Sequence, residues 1–500
     1  MPGHRPDPVL RDRHVVVVGG GIAGLTAALR VARLGGRVSL LESSTTVGGK
    51  LARAELAGLT IDTGAESVLN RRPEAVDLAR EVGLGDDLRH PATSAAEVWS
   101  RGRLRPLPPT VLGVPSDLAA LARSGVLSRA GVVRTGLDRV LPGGAVPADR
   151  ADDVSVGRYV AGRLGAEVRD RLLEPLLGGI YAGRADHLSL AAAAPQVLAL
   201  ASTGDSLLVA ARRSRQQTAA ASAPPLFAAL VGGMGRLAEA AAAAAVAAGV
   251  DVRTGATVRS VSRRAGPGEG WRLLVGRADR PETIDADAVV LATPAAATAR
   301  LLDELLPSAA YELRGIEYAS VALVSLAVPD GGVVRPPRGS GFLVPPVEGR
   351  SAKAATWSSA KWAWLGEEAA REHGRGTIVL RVSFGRHGEA KVLQRDDVGL
   401  VELAAAELAE AVGLRGPLLD ARVDRWGGGL PQYAVGHLGR VARVGRAVAG
   451  VDGLEVCGAA YHGVGVPACI ADGRAAGDRV WEWLRTRPTA AAGSAGTMPP

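Results

Sequence analysis

The chain has 500 residues, 47% of them hydrophobic, which is enough to bury the cores of two or three domains. Its lysines and arginines outnumber its aspartates and glutamates by 59 to 51, a formal net charge of +8. Most of these cations are arginines scattered among acids, as on an ordinary solvated surface. Because the chain has no basic run and no nucleic-acid-binding motif, the charge favours an anionic substrate or an anionic membrane surface, and we expect no nucleic-acid partner.

Cysteine, histidine and hydropathy patterns argue against further classes of protein. The two cysteines, Cys457 and Cys469, make no disulfide framework, so the chain fits a reducing compartment. Neither has a Cys or His at metal-ligand spacing, and the eight histidines are dispersed, so we predict no metal site. The first thirteen residues lack the apolar core of a signal peptide, and the longest small-apolar run, residues 240–250, is too short to span a bilayer. We therefore expect a cytoplasmic protein without a transmembrane segment, and peripheral membrane contact stays open.

The first predicted element is a βαβ unit over residues 14–42. Four valines run into glycines, a helix-like apolar pattern follows, and a second alternating strand closes the unit. Gly19, Gly21 and Gly24 fit G-x-G-x-x-G: the first allows a tight turn, the second lets the backbone approach a pyrophosphate, and the third lets the helix pack on the strand. The helix N-terminus supplies N–H donors and partial positive charge for phosphates. The unit therefore predicts a dinucleotide site.

Glu42 ends the second strand of this unit. A carboxylate at that position can accept hydrogen bonds from both hydroxyls of an adenosine ribose. An acid there also repels a 2′-phosphate, so the sequence argues against an NADP-type ligand.

Two segments after Glu42 indicate a flavin. Gly48 and Gly49 permit close approach to a ligand, and Lys50 can face a phosphate or the flavin edge. Residues 59–67 predict a strand that ends in a glycine turn. Either segment alone could be an ordinary hairpin. Together, directly after a βαβ unit, they are typical of flavoproteins that hold FAD in an extended pose, and NAD enzymes have no counterpart.

The middle of the chain has a different character. Prolines and arginines alternate with helical stretches over residues 91–220, which we interpret as a mainly helical inserted region. Within it, residues 212–223 predict an exposed, partly mobile loop. The simplest interpretation of the apolar faces of this region is that they form a hydrophobic core, and membrane docking is the alternative.

The chain then returns to the nucleotide-binding part. Within residues 226–249 an Ala-rich helix is predicted to open after the glycines of residues 232–235, and residues 250–258 and 271–275 predict a small antiparallel sheet. Residues 287–294 (DAVVLATP) predict a buried strand that rejoins the parallel sheet.

The last third predicts a second domain and a final return. The predicted strands and helix of an antiparallel-sheet domain are residues 318–328, 341–345, 354–358 and 377–384, with a helix at 397–412. Residues 454–484 predict a strand, a glycine loop and a helix, whose positive end would face an anion such as the reduced isoalloxazine near N1 and O2. Residues 488–500 are small, polar and Pro-containing, and predict a disordered tail.

Motifs spread over residues 15–484 carry a family resemblance. The general ones are GGGIAGL, GGK, DTGAES, GATV, VLATP and GAAYHGVGVPACI. More specific are EPLLGGIYAG at residues 174–183 with Leu188 and Ser189, ATWSSAKW at 355–362, and RWGGGLPQYAVGH at 425–437. Together they resemble the protoporphyrinogen and coproporphyrinogen oxidases, FAD enzymes late in haem synthesis that belong to the wider monoamine oxidase and phytoene desaturase superfamily. ATWSSAKW is most similar to the water-soluble, coproporphyrinogen-oxidising branch.

The resemblance implies an α/β fold: a Rossmann-like FAD-binding domain built from separated segments, an antiparallel-sheet substrate domain and a helical inserted domain. The implied ranges are 1–90, 225–300 and 440–487 for the FAD-binding domain, 91–224 for the helical domain and 301–439 for the substrate domain.

The resemblance also implies the contacts of a non-covalently held FAD, position by position. The implied residues are Gly19, Gly20, Gly21, Ile22, Ala23 and Gly24 at the pyrophosphate, Glu42 and Ser43 at the adenosine ribose, Gly49 and Lys50 along the FAD, Gly64, Ala65, Glu66 and Ser67 lining the flavin, the Val258 backbone at the adenine edge, and Trp426, Ala459, Val464, Gly465 and Val466 over the isoalloxazine.

The substrate contacts depart from the family pattern. Some eukaryotic-type members place an arginine against a substrate propionate in the stretch corresponding to residues 107–114, which here is LPPTVLGV, without a cation. Propionates must therefore meet other groups. We take Arg71 and Arg72, just after the flavin-lining turn, as candidates. Lys361 and Arg381 are weaker candidates, because an ordinary surface position is the default explanation for each.

The implied reaction removes six electrons from a porphyrinogen. A flavin accepts two as hydride, so three cycles are needed, and oxygen can reoxidise the flavin each time to give peroxide. No His/Asp or paired-carboxylate constellation reads as a general base, so we name no catalytic side chain. Expected partners are the porphyrinogen and oxygen, with contact to the next haem-pathway enzyme left open.

Three alternatives accompany this interpretation. The runner-up is the same chemistry on protoporphyrinogen IX, which has two propionates instead of four. An amine oxidase or carotenoid desaturase is more distant, since the aromatic cage of amine oxidases is hard to assemble from six tyrosines and three phenylalanines. A non-catalytic carrier of flavin and porphyrin is the alternative from another class.

Overall fold

The computed structural model describes residues 13–140, 153–220, 225–264, 270–335, 338–373 and 376–486. The predicted tail at 488–500 lies outside the described residues, as do the first twelve residues. The described chain mixes helices with a parallel and a largely antiparallel sheet, which confirms the predicted α/β class.

The strands are β1 (His14–Val18), β2 (Arg37–Leu41), β3 (Arg53–Leu56), β4 (Leu59–Asp62), β5 (Val68–Leu69), β6 (Leu88–Arg89), β7 (Glu97–Ser100), β8 (Arg103–Pro106), β9 (Thr110–Val111), β10 (Val114–Pro115), β11 (Phe227–Leu230), β12 (Asp251–Arg253), β13 (Val258–Arg263), β14 (Trp271–Arg277), β15 (Arg280–Ala286), β16 (Ala288–Leu291), β17 (Tyr318–Pro329), β18 (Gly341–Leu343), β19 (Ala352–Trp357), β20 (Thr377–Phe384), β21 (Asp420–Pro431) and β22 (Leu454–Val456).

The α-helices are α1 (Ile22–Leu34), α2 (Pro73–Glu81), α3 (Leu118–Ser124), α4 (Arg129–Gly136), α5 (Val156–Leu164), α6 (Ala166–Val168), α7 (Glu174–Tyr181), α8 (Leu190–Ala193), α9 (Pro195–Ala201), α10 (Leu207–Ala220), α11 (Gly235–Ala247), α12 (Ala295–Leu302), α13 (Pro307–Arg314), α14 (Ser358–Lys361), α15 (Ala363–His373), α16 (Asp397–Val412), α17 (His437–Ala449) and α18 (Val466–Thr486).

A parallel sheet of order β12-β2-β1-β16-β22 organises the described residues of the nucleotide-binding part. Its strands come from widely separated stretches of the chain, and β1 lies in the middle, paired with β2 on one side and β16 on the other. The valines of β1 are almost fully buried because helices cover one face of the sheet, and the strands β13, β14 and β15 together with further helices cover the other.

Helices α1 and α18 cross in close contact on one face of this sheet. A Cβ on Gly473 would lie 2.2 Å from the Ala23 carbonyl oxygen, and one on Gly477 would lie 3.2 Å from that of Ala27. Glycine at these two positions therefore lets the helix backbones approach. Since both helices follow strands of one parallel sheet, their N-termini lie at its carboxyl edge, where ligands of such sheets bind.

The second large sheet has the order β21-β17-β20-β19-β18-β7-β8 among the described residues. Its pairs are antiparallel except that β18 and β7 run parallel. Helix α16 packs its apolar face, with Leu400, Ala404 and Leu408, on one side of the sheet. Strands β7 and β8 lie inside the range 91–224 that the sequence assigned to a helical domain, yet they extend this sheet.

Helices α3 to α10 share an apolar core of their own, which contains Leu121, Val160, Leu164, Leu173 and Leu177. The loop predicted at residues 212–223 is wrong over 212–220, which belong to α10. This helix is anchored by buried residues such as Leu207, Leu208 and Ala211 in its first half. Arg, Gln and Ala are good helix formers, so the polar half continues the helix that this packing begins.

The Ala-rich helix predicted to open after the glycines of residues 232–235 is α11, and before it β11 pairs with β5 and β6. One other predicted element differs in extent. Residues 250–258 are divided: β12 joins the parallel sheet beside β2, and only β13 pairs with β14.

Candidate active site

The glycine turn after β1 leaves one position open to a ligand. Gly19 has φ +108°, and a Cβ there would lie 2.7 Å from the Ala292 carbonyl oxygen. A Cβ on Gly24 would lie 1.9 Å from the Gly19 oxygen, so packing demands glycine at both positions. A Cβ on Gly21, by contrast, would meet nothing within 4 Å. The space beside Gly21 is where a pyrophosphate can approach the main chain.

The N-terminus of α1 faces the same turn. Gly21 is its N-cap and provides no side-chain cap, and its first turn contains no acidic residue. The first N–H groups of a helix have no partner within it, so those of Ile22, Ala23 and Gly24 can donate to a phosphate.

Glu42 stands next to this turn as an ionised carboxylate. It accepts hydrogen bonds from the Gly20 N–H at 2.6 Å and from the Ser44 N–H and hydroxyl at 2.7 Å each. The Ser43 hydroxyl donates to it at 3.3 Å. Burial alone would raise the pKa of Glu42, but these hydrogen bonds hold that pKa below its ordinary value. A charged acceptor is therefore ready beside the turn.

The segment leading into Val258 runs along the end of this strand. The Ala256 N–H donates to the Glu42 carbonyl at 2.7 Å, and the Gly255 N–H donates to the Ser44 carbonyl at 2.8 Å. Val258 begins β13 directly afterwards.

A second glycine loop lies against the first. Gly48 and Gly49 have φ values of +109° and +57°, and the Gly48 N–H donates to the Gly20 carbonyl at 2.8 Å. A Cβ on Gly49 would lie 3.3 Å from the Gly21 Cα. The exposed Lys50 ammonium makes no hydrogen bond or ion pair within the described residues. A cation without a partner thus lies next to the open space at Gly21.

The turn after β4 packs on this second loop. A Cβ on Gly64 would lie 2.0 Å from the Lys50 carbonyl oxygen, and the Ala65 N–H donates to that oxygen at 3.1 Å. Trp426, from β21 of the other sheet, donates from its indole nitrogen to the Thr63 carbonyl at 2.7 Å. Tertiary folding therefore joins Trp426 to a turn that lies far from it in the sequence, and Ser67 follows this turn just before β5.

Glu66, in the same turn, is held between two cations of the second sheet domain. Lys361 forms an ion pair with it, Arg381 lies 3.5 Å away, and Arg381 also donates to the Gly64 carbonyl. The three charged side chains are only 13–16% exposed. Burial would raise the pKa of Glu66, but the two cations lower it, so it is ionised. The surface position expected for Lys361 and Arg381 is therefore wrong, and we call these three residues the Glu66 cluster.

Arg71 and Arg72 lie exposed after β5. Arg72 is paired with Glu74 at 2.5 Å. Arg71 makes no hydrogen bond or ion pair within the described part of the chain, so of the two it has the freer charge.

The loop before α18 is fixed at two points by one tyrosine. The Tyr433 hydroxyl donates to the Ala459 carbonyl at 2.8 Å and accepts from the Gly463 N–H at 2.7 Å. Val464 packs on the core of the helical region, and Val466, at the start of α18, packs on the core of the parallel sheet. Gly465 lies exposed between them. These predicted flavin residues therefore lie where the two cores adjoin.

The structure also contains a His/Asp pair that the sequence reasoning missed. His462 Nδ1 lies 2.7 Å from Asp472 Oδ1, and the other Asp472 oxygen accepts from the Gly458 N–H at 2.7 Å. The hydrogen bond to Asp472 raises the pKa of His462. The sequence did not indicate this pair, and whether it acts as a general base stays untested. The loop folds back on the first turns of α18, and no local pattern signals that contact.

The residues of this site fit an extended FAD. The N-terminus of α1 at Gly21 is open and uncapped, the ionised Glu42 lies on one side of it, and the unpaired Lys50 lies on the other. Among the described residues, no group of three or more His, Cys, Asp and Glu side chains could hold a metal ion. Nor does any helix of the described chain have the length and apolar character needed to cross a membrane.

Comparison with known proteins extends over nearly the whole chain. Residues 22–481 match the family model of flavin containing amine oxidoreductases. A coproporphyrinogen III oxidase of Mycobacterium tuberculosis is 37% identical over 473 residues, which cover 93% of this chain and 97% of that protein. One of Bacillus subtilis is 32% identical over 476 residues, with the same coverage. The crystal structure described as a putative protoporphyrinogen oxidase from Exiguobacterium sp. 255-15 superposes with a TM-score of 0.79. It is 29% identical in sequence and covers 94% of this chain and 99% of that one.

Proposed function

Because this chain belongs to the flavin containing amine oxidoreductases and is an FAD-dependent oxidoreductase, we propose that it oxidises coproporphyrinogen III to coproporphyrin III in haem biosynthesis. The observation that carries the proposal is similarity over almost the full length to relatives of that name. The site supports it with partly buried cations close to the flavin-lining turn, which suit a substrate with several carboxylates.

The oxidation removes six electrons from the porphyrinogen. When bound, FAD supplies a two-electron hydride acceptor, so three rounds are required, and we propose molecular oxygen as the final acceptor with hydrogen peroxide as the product.

In this scheme, the side chains and main chain of the protein bind and orient the FAD. The first turn of α1 takes the pyrophosphate, and Glu42 takes the ribose hydroxyls. Trp426 is fixed by its hydrogen bond to Thr63 and forms a wall of the flavin site. The dipole of α18 adds positive potential at the carboxyl edge of the sheet.

The Glu66 cluster sets the local charge. Two cations, Lys361 and Arg381, face the Glu66 carboxylate in a largely buried position. We propose that these two cations favour an anionic substrate. We assign no general base: Asp472 already binds the main chain at Gly458, and its partner His462 is 62% exposed.

The test is an anaerobic one. Holoenzyme is mixed with coproporphyrinogen III or protoporphyrinogen IX, and flavin bleaching is followed side by side, with peroxide measured after air is admitted. We expect both substrates to bleach the flavin, with a higher kcat/KM for coproporphyrinogen. Added salt should reduce only the part of that advantage that comes from exposed cations such as Arg71, because exposed charges are screened.

The outcomes separate the alternatives. Bleaching only by protoporphyrinogen, or a preference for it, would overturn the substrate assignment. Binding of porphyrin without bleaching would identify a carrier and overturn the enzymatic assignment. Bleaching without peroxide would leave the oxidation intact and reject oxygen as the acceptor.

A further inference from the structure

Two apolar side chains lie open to solvent directly after the flavin-lining turn. Leu69 of β5 pairs with Phe227 of β11, and residues directly opposite each other in an antiparallel pair point to the same face. The neighbouring pair, Val68 and Ala228, is only 3% and 1% exposed and faces the core. Leu69 and Phe227 therefore point outward, and each is 38% exposed. We call these two residues the Leu69–Phe227 pair.

The pair is joined to the flavin-lining turn in two ways. Leu69 follows Glu66 by three residues, so their Cα atoms are at most about 11 Å apart. The Lys361 ammonium lies 5.8 Å from the centre of the Phe227 ring and also forms the ion pair with Glu66. The Leu69–Phe227 pair and the Glu66 cluster are therefore adjacent parts of one region.

Cations lie beside the pair. Arg71 is exposed two residues after Leu69 and makes no hydrogen bond or ion pair within the described residues. Lys361, next to the Phe227 ring, is 14% exposed. An apolar contact with cations next to it is complementary to a ligand that has an apolar ring and carboxylate substituents.

The apolar area is small, which favours a small molecule over a macromolecule. With the adjoining Leu226, which is 41% exposed, it comprises three side chains. A stable protein interface buries about 800 Å² on each partner, far more than three partly exposed side chains provide. A single tetrapyrrole ring, by contrast, can cover them.

We propose that the Leu69–Phe227 pair is an apolar contact for the macrocycle of the porphyrinogen substrate, with substrate carboxylates directed toward the cations beside it. The inference rests on the proposed function, because it takes the tetrapyrrole as the occupant. The pair then contributes affinity for the ring that copro- and protoporphyrinogen share, whereas the cations respond to the number of carboxylates.

The first test is a footprint on the holoenzyme. Phe227→Cys places a thiol at the pair, whereas the two natural cysteines, Cys457 and Cys469, are only 0% and 7% exposed. A maleimide should therefore label position 227 selectively. At about ten times its Kd for this variant, coproporphyrin III should slow the labelling by about tenfold, because only the unliganded fraction reacts. Leu419→Cys is the matched control, since Leu419 is 49% exposed just before β21, and coproporphyrin should leave its labelling unchanged.

The same footprint identifies other occupants. The labelling is repeated with anionic phosphatidylglycerol vesicles and, separately, at raised protein concentration. Protection of Phe227→Cys by vesicles but not by coproporphyrin would assign the pair to a membrane surface and overturn the proposal. Protection that depends only on protein concentration would assign it to a second copy of the chain, with the same consequence.

The second test measures affinity by fluorescence quenching. Phe227→Ala should weaken binding of coproporphyrin III and protoporphyrin IX alike by about tenfold, the order of magnitude for one partly exposed aromatic side chain withdrawn from an apolar contact. The loss should not depend on salt, because apolar contacts are not screened. Tyr311→Ala removes an aromatic ring that is 74% exposed on α13, and this control should bind both porphyrins as wild type does.

Folding is checked in the same variants. Because the Phe227 side chain points outward, the FAD content and the Tm of Phe227→Ala should stay close to those of wild type. A loss of affinity that comes with lost FAD or a lower Tm would make Phe227 a structural residue and overturn the contact.

The remaining outcomes separate the contact from the proposed function. Unprotected labelling of Phe227→Cys, or unchanged affinity in Phe227→Ala, would overturn the contact and leave the proposed function standing, provided that wild type still oxidises coproporphyrinogen. A salt-dependent loss restricted to the four-propionate ligand would assign the effect to the cations and also overturn the ring contact. Failure of wild type to bind either porphyrin would overturn both proposals.

Discussion

On the parallel sheet, the groups that we propose for ligand binding are main-chain amides: the turn at Gly19 to Gly24 and the first turn of α1, with Glu42 as an added charge. On the second sheet, the corresponding proposed groups are the long side chains of Lys361 and Arg381, which are only 14% and 13% exposed. In this proposal, one part of the molecule recognises its ligand by backbone shape and the other by buried charge.

The difference has an energetic consequence. Main-chain amides at a helix start are unpaired in any helix, so presenting them to a ligand adds little to the cost of folding. Buried cations must be neutralised or accept an unfavourable environment. We therefore expect changes on the parallel sheet to affect cofactor binding with little effect on the fold, and changes in the Glu66 cluster to affect the fold itself.

The largest effect is expected from Gly21→Val. A branched side chain would occupy the space of the pyrophosphate and weaken FAD binding by at least about 100-fold, or about 3 kcal/mol. The chain should still fold, because a Cβ there meets no protein atom within 4 Å. FAD content after gel filtration measures FAD binding, and the far-UV circular dichroism spectrum measures folding. Gly445→Val is the control, since its Cβ is also unhindered and it lies on the exposed side of α17. Retention of FAD by Gly21→Val would refute recognition through the backbone.

Glu66→Gln tests the buried charges. The substitution leaves Lys361 and Arg381 without a counter-charge, and we expect a loss of about 3 kcal/mol in the free energy of unfolding. The matched control is Asp279→Asn, which breaks the Arg277–Asp279 pair on the surface, where the partners are 84% and 62% exposed. That change should leave the Tm close to that of wild type, because exposed ion pairs contribute little to stability. Thermal unfolding of the two holoenzyme variants compares their stability. Equal losses of stability would mean that burial does not make the Glu66 ion pairs more important than the Arg277–Asp279 pair.

Glu42→Ala removes the negative charge beside the glycine turn. FAD affinity should fall by about 1.5–3 kcal/mol, the value of hydrogen bonds to a charged group. Titration of the apoprotein with FAD, followed by flavin fluorescence, measures this loss. Glu55→Ala, on the exposed side of β3, is the control and should bind FAD as wild type does. An unchanged affinity in Glu42→Ala would remove Glu42 from the ribose site.

The smallest effect is expected from Arg71→Ala. The Arg71 guanidinium is exposed, so its loss should raise KM for coproporphyrinogen by about 0.2–1 kcal/mol, or up to about fivefold. The rise should shrink at high salt, in contrast to changes at the buried cations. Arg80→Ala, exposed on α2, serves as the control. A change in kcat alone would mean that Arg71 does not act through substrate binding.

The predictions that the structure confirms are mostly of elements determined by residues adjacent in the sequence. The βαβ unit appears within a residue of its expected bounds, because an apolar run, a glycine turn and a helical pattern each depend on neighbours in the chain. The apolar runs of β17 and β20 also predict these two strands. The predicted FAD contacts stay a prediction, and the structure adds that Gly21 is open and Glu42 is ionised.

The wrong loop prediction and the missed His/Asp pair share a physical origin. Residues 212–220 were too polar to indicate a helix, and only the buried start of α10 makes them one. The His462–Asp472 pair depends on a loop that folds back onto α18. Each feature depends on packing between segments, for which a single sequence carries no periodic signal.

By itself, the sequence determined the position of the phosphate-binding turn, because a glycine's conformational freedom and the start of a helix are properties of adjacent residues. Which cations lie beside the flavin-lining turn was decided by the tertiary structure alone. Arg381 faces Glu66 because of the register of β20 against β19. A slip of one residue would turn such side chains to the other face of the sheet. The register is set by how the whole sheet packs against α7 and α16, so the charge of the site is a property of the folded chain.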